Sequence, residues 1–115
     1  MASTQIKKFT ASHKFARIAP RKARLVADQI RGKGIEDALA TLEFSPRRGA
    51  WFIKSVLRSA IANAEEANLD VGRLFVSESR VDEGPTIKRF QPKDRGRSHP
   101  IMKRTSHIHV SVDVR

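Results

Sequence analysis

Between Gly84 and Arg104 the chain reads GPTIKRFQPKDRGRSHPIMKR, seven Lys/Arg against the single acid Asp94. Lys88, Arg89, Lys93, Arg95, Arg97, Lys103 and Arg104 are interleaved there with Phe90, Pro92 and Gly96. The guanidinium fork binds phosphates bidentately and stacks on bases, so an arginine-rich, proline-stiffened segment suits a shaped RNA surface. A second cluster, Arg17, Arg21, Lys22, Arg24, Arg31 and Lys33, has Lys14 upstream and only Asp28 among its members. Such cations supply salt-dependent phosphate affinity without sequence information.

Other chemistry is thinly represented. His107 and His109 lie two apart, hence on one face of a strand, but no third metal ligand is near them in sequence. With Lys103, Arg104 and Ser106 they read as polar surface or RNA contacts. Asp82-Glu83 and Glu65-Glu66 are adjacent acidic pairs, and no nucleophile–base–orienter set or phosphate-binding glycine motif accompanies them. The chain has no cysteine, which excludes disulfides, thiolate metal sites and a cysteine nucleophile. No enzyme activity, metal or cofactor is therefore expected. Trp51 with Phe52 reads as core or edge packing rather than a base-stacking platform.

Charge is unevenly placed over the 115 residues, whose formal net charge is +11. Residues 1–33 contribute +8 and residues 84–104 contribute +6, while residues 34–72 sum to −2. Two basic blocks around a near-neutral middle are the footprint of a polyanion-binding protein. No apolar run reaches signal-peptide or membrane-spanning length, and the basic stretches lack the apolar face of an interfacial helix. A cytoplasmic protein with no membrane partner is expected.

Several elements must position these cations. Ile6–Ala16 alternates weakly, as an edge strand. Pro20 suits the first position of a helix whose stripe is Ala23, Val26, Ala27 and Ile30, and Gly32 suits a left-handed end. A second helix, Ile35–Phe44, sets Ile35, Ala38, Leu39 and Leu42 on one face. Ser45-Pro46 then reads as N-cap and first residue of a third helix, Pro46–Ala67. Its stripe is Ala50, Ile53, Leu57, Ala60, Ile61 and Ala64, widened by Trp51, Phe52 and Val56, and Asn68 can cap its end.

Two strand-like segments flank the basic stretch, Arg73–Glu83 and Thr105–Arg115. In the first, Leu74 and Val76 against Phe75 and Val81 suggest apolar residues on both faces. In the second, Ile108, Val110, Val112 and Val114 alternate with polar residues, the pattern of a half-buried strand. The fold class is α+β: three helices packed on a small antiparallel sheet, with a long protruding β-hairpin. A turn near Pro92–Gly96 would leave arms of roughly 20 residues, about 65 Å at about 3.3 Å per residue. Residues 1–115 form one domain, with a globular body over 13–80 and 106–115 and a basic arm over about 81–105. Isolated hairpins are marginal in water, so the tip is expected to be mobile when free and ordered by its partner.

Several runs together resemble the bacterial ribosomal protein L-twenty-two family of the large subunit. They are Arg24-Leu25-Val26-Ala27, Ile30-Arg31-Gly32-Lys33, Ser59-Ala60-Ile61-Ala62-Asn63-Ala64, Val81-Asp82-Glu83-Gly84-Pro85, Lys88-Arg89 and Lys103-Arg104-Thr105-Ser106-His107-Ile108. The resemblance runs from about His13 to Arg115. It implies a structural component of the large ribosomal subunit, monomeric there, with a role in subunit assembly. Its partners would be large-subunit ribosomal RNA, neighbouring proteins around the exit tunnel and the nascent polypeptide. The body would sit near the tunnel opening. The hairpin tip, Ile87, Lys88, Arg89, Phe90, Gln91, Pro92, Lys93, Arg95, Gly96 and Arg97, would line the tunnel. The alternative class is an architectural DNA-binding protein with basic β-arms, which works as a dimer and needs a broad apolar face.

Overall fold

In the computed structural model Pro20 opens the first helix, where its missing N–H costs nothing. The backbone is described for residues 9–93 and 97–114, and side chains for residues 9–86 and 103–114. The first strand, β1, spans Phe9–Ala16. Helix α1 spans Pro20–Ile30 and buries Pro20, Ala23, Val26, Ala27 and Ile30. Gly32 follows with φ +82°, the left-handed conformation that lets the chain turn back after the helix. Helix α2 spans Ile35–Phe44 and buries Ile35, Ala38 and Leu42, with Leu39 half-buried.

Helix α3 spans Arg48–Glu66, not Pro46–Ala67, and its N-cap is Arg47. Ser45 instead ends α2 in extended backbone, the conformation favoured before a proline. Its hydroxyl accepts the Arg47 N–H at 3.4 Å, so Ser45 shapes the corner between α2 and α3 rather than capping α3. The stripe Ala50, Ile53, Leu57, Ala60, Ile61 and Ala64 is buried, together with Phe52 and Val56. Trp51 does not widen that stripe. It is 66% exposed, one turn beyond Arg47 and Arg48 on the outer side of the helix. At the far end Asn68 adopts φ +61° and donates its N–H to the Glu65 carbonyl, closing α3 as expected.

After a 3₁₀ turn at Val71–Arg73 come β2 (Leu74–Glu83), β3 (Ile87–Lys93), β4 (Arg97–Lys103) and β5 (Ser106–Val114). Strands β1, β5 and β2 form an antiparallel sheet in that order, and β3 pairs antiparallel with β4 from Ile87↔Lys103 to Lys93↔Arg97. The three helices pack on the three-stranded sheet, an α+β arrangement. The core joins the helix stripes to Leu74, Val76, Val81, Ile108, Val110 and Val112.

One expectation for β2 fails through a single residue. Its register against β5 shifts between Val76 and Glu78, a bulge at Ser77. The extra residue reverses the alternation, so Leu74, Val76 and Val81 are all buried while Phe75 is half-buried. A second shift in β1, between His13 and Ala16, coincides with Phe15 at φ +60°.

Strand β2 lies at a sheet edge, and its carbonyls are covered from α1. Arg24 Nε donates to the Val81 carbonyl at 3.0 Å, and an Arg31 guanidinium nitrogen donates to the Ser79 carbonyl at 2.6 Å. The link after α1 adds Gly32 N–H to the Val76 carbonyl and Val76 N–H to the Lys33 carbonyl. Covering an edge in this way blocks pairing with foreign strands.

The chain's extents are 70 × 33 × 20 Å and its radius of gyration is 17.6 Å. A compact chain of this length would have a radius of gyration of about 13 Å, so the molecule is elongated.

Candidate nucleic-acid interface

A groove of about 940 Å³ runs between the start of α1, the start of α3 and the end of β4. It is lined by Arg17, Ile18, Ala19, Lys22, Leu25, Arg47, Arg48, Gly49, Lys103, Arg104 and Thr105. Six of these eleven residues are cations and none is an acid.

Local structure explains the convergence. Arg17 is the central residue of a turn held by the Ile18 N–H to the Ala16 carbonyl at 2.9 Å. The buried Ser106 hydroxyl donates to the Ile18 carbonyl at 2.6 Å and ties this turn to β5. Gly49 lets α3 approach α1 closely: a Cβ there would lie 3.3 Å from Ile18 Cδ1 and 3.4 Å from the Ala23 Cα. That close crossing carries Arg47 and Arg48 toward Lys22.

The helix ends reinforce the positive field. Neither α1 nor α3 has an acid in its first turn, whereas α2 has Glu36 and Asp37 there. A helix N-terminus carries partial positive charge, and cations beside it cost stability. Placing Arg21 and Lys22 on α1, and Arg47 and Arg48 at α3, favours an anionic ligand over the free protein's own electrostatics.

The expected binding residues divide into groups. Arg17, Lys22, Lys103 and Arg104 line the groove, and Lys14 and Arg21 are exposed nearby in sequence on β1 and α1. Arg24 and Arg31 brace β2, and Arg31 also pairs with Asp28 at 2.9 Å. Lys33 Nζ donates to Thr41 Oγ1 at 3.1 Å. These three cations therefore hold internal partners rather than joining the groove.

Ser106 corrects the sequence expectation. It is fully buried, and its hydroxyl is spent on Ile18 because β5 is the central strand. His107 is half-buried: its Nδ1 accepts the Phe15 N–H at 3.1 Å, and its ring meets Phe15 edge-on at 4.9 Å. His109 faces Ser12 through Nδ1 at 2.7 Å and Asp82 through Nε2 at 3.3 Å.

Ile87, Lys88, Arg89, Phe90, Gln91, Pro92 and Lys93 lie along β3, and Arg97 begins β4. Their side chains, and Arg95 and Gly96 altogether, lie outside the described residues. Arg47 and Arg48 are the contributors that sequence patterning missed. Their signal was an arginine pair at a helix start with no acid in its first turn.

At the base of the β3–β4 ribbon, Gly84 N–H donates to the Thr105 carbonyl at 2.9 Å. Thr105 Oγ1 donates to the Pro85 carbonyl at 2.6 Å. Three residues, Gly84–Thr86, stand opposite two, Arg104 and Thr105, between the pairs Glu83↔Ser106 and Ile87↔Lys103. This mismatch fixes Arg104 beside the groove. Among the described residues no three His, Cys, Asp or Glu gather as a metal site, and no helix is long and apolar enough to cross a membrane.

Comparison with known proteins agrees with this geometry. The family described as Ribosomal protein L22p/L17e matches residues 11–113. The large ribosomal subunit protein uL22 of Lacticaseibacillus casei is 56% identical over 109 residues, covering 94% of this chain and 93% of that protein. The uL22 of Ligilactobacillus salivarius is 54% identical over 112 residues, covering 96% and 97%. That of Desulfosudis oleivorans is 50% identical over 101 residues, covering 88% and 89%. An acid-free cationic groove on an α+β body thus accompanies a match along nearly the whole chain, which belongs to the L22p/L17e family of ribosomal proteins.

Proposed function

We propose that this protein, a structural component of the large ribosomal subunit, binds large-subunit ribosomal RNA through the groove and through a basic β-arm. The observation that carries this reading is the groove itself, six cations from three chain segments with no acid among them. The arm is the segment of about residues 81–105, set on a body of residues 13–80 and 106–115 in one domain. Its paired ribbon, β3 with β4, supports the reading, as does the elongated shape. The tip, Ile87–Lys93 with Arg95, Gly96 and Arg97, lines the exit tunnel and faces the nascent polypeptide. The body sits near the tunnel opening beside neighbouring ribosomal proteins, as a monomer in the cytoplasmic ribosome, and contributes to subunit assembly.

Mechanistically, the groove cations neutralise phosphates and release counterions, which supplies affinity and salt dependence. The arm adds arginine contacts at a distance from the body, so one chain can tie two RNA segments together. Replacing Lys103 and Arg104 together by Ala should weaken binding to large-subunit RNA and flatten its salt slope by about one for each phosphate no longer neutralised. Filter binding over a salt series measures both. An unchanged slope and affinity contradict the groove assignment, and a preference for duplex DNA by a stable dimer contradicts the ribosomal RNA reading.

A further inference from the structure

Trp51 is the chain's single tryptophan, and it stands outside the core, 66% exposed. It lies three and four residues after Arg48 and Arg47, so all three share one side of α3. Both arginines line the acid-free groove. The indole is also held in place: it meets the buried Phe52 in an edge-on contact, 5.0 Å between centroids and 79° between planes. Phe52 is itself fixed by His13 at 5.6 Å and by the Arg48 guanidinium at 5.6 Å from its ring centre. An edge-on contact engages at most one face of the indole, which leaves a face open to solvent.

We infer that Trp51 is a stacking platform for an unpaired nucleobase of the RNA strand whose phosphates occupy the groove. This rests on the polyanion reading of the groove and goes beyond it by naming the kind of RNA, a single-stranded or looped segment rather than continuous duplex. A large apolar side chain left in water costs free energy unless a partner covers it. The partner must also tolerate Arg47 and Arg48 alongside, which favours a base carrying its own phosphate over an apolar protein surface. Base–aromatic stacking accepts any base, and the preset ring orientation lowers the entropy lost on binding.

The test uses the full chain with two RNA probes, a stem-loop with an unpaired purine loop and a blunt duplex of equal length. The stem-loop should quench the tryptophan emission on saturation, and the duplex should not. Trp51→Ala should lower stem-loop affinity roughly tenfold, with Trp51→Phe recovering most of it. Because Trp51 is uncharged, the salt slope should stay the same in both variants. Circular dichroism confirms that the variants fold. Tight stem-loop binding with unquenched emission, or unaltered affinity of Trp51→Ala, overturns the stacking site and leaves the groove reading standing. Emission that changes only when protein neighbours are present overturns it too, assigning Trp51 to a protein interface. Failure of the unaltered chain to bind either RNA overturns the groove reading itself.

Discussion

Gly84 sits where the chain leaves the three-stranded sheet, and a Cβ there would lie 2.5 Å from Thr105 Oγ1. That hydroxyl is already engaged with the Pro85 carbonyl, so the neck cannot relax without breaking a hydrogen bond. Gly84→Ala should therefore destabilise the protein by about 1–3 kcal/mol, read from urea unfolding; an unchanged midpoint would mean the neck yields. Arg47 and Arg48 present the opposite balance. They lie at the positive end of α3 with no acid in its first turn, so Arg47→Ala, which keeps the Arg48–Phe52 contact, should leave stability equal or raise it by about 0.3–1 kcal/mol. RNA affinity should fall at the same time, and the two readouts moving together would contradict a binding role. Single residues were also where the sequence was least legible. Ser106 reads as one more polar neighbour of Lys103-Arg104, yet the central position of β5 buries it. Trp51 and Phe52 read alike as core or edge packing because apolar residues crowd that turn, and only the helix's rotation against α1 decides which of them goes inside.

Elements were more legible than residues, because periodicity is an average over many positions. Pro20, the stripe of α1 and the left-handed Gly32 all stand where the sequence predicts them. The start of α3 does not, since Ser-Pro serves equally as helix start or as interhelical corner. The bulge at Ser77 was invisible for a related reason: one inserted residue reverses a period of two, and nothing in the residue types marks where. Leu57, fully buried on α3, tests that helix's placement. Leu57→Ala should cost about 2–5 kcal/mol, measured by denaturant or thermal unfolding, and a near-neutral result would contradict the packing. The α2–α3 contact carries its own pH signature. The Lys54 ammonium hydrogen-bonds the Glu43 carboxyl and holds its pKa below the ordinary 4.5. The pair thus contributes at neutral pH and fades as acid protonates the carboxylate. Glu43→Gln should give a shallower loss of stability as the pH falls below 4.5 in urea titrations.

For the whole molecule, charge distribution was the most legible feature and geometry the least. The two basic blocks are plain in the sequence, but their meeting at one groove depends on the α1–α3 crossing at Gly49 and the strand mismatch at Gly84. Part of the first block, Arg24, Arg31 and Lys33, was drawn instead into holding α1 and its following link to the fold. What remains exposed among the described residues is a cationic groove at the base of the β3–β4 ribbon. The most direct test of RNA binding through groove and ribbon is ultraviolet crosslinking within intact large ribosomal subunits, mapped to both peptide and nucleotide after a high-salt wash. The protein should stay bound, and peptides carrying Arg17–Lys22, Arg47–Arg48 and Lys88–Arg104 should crosslink to large-subunit RNA. Loss of the protein in the wash, or crosslinks that avoid these peptides, would contradict it.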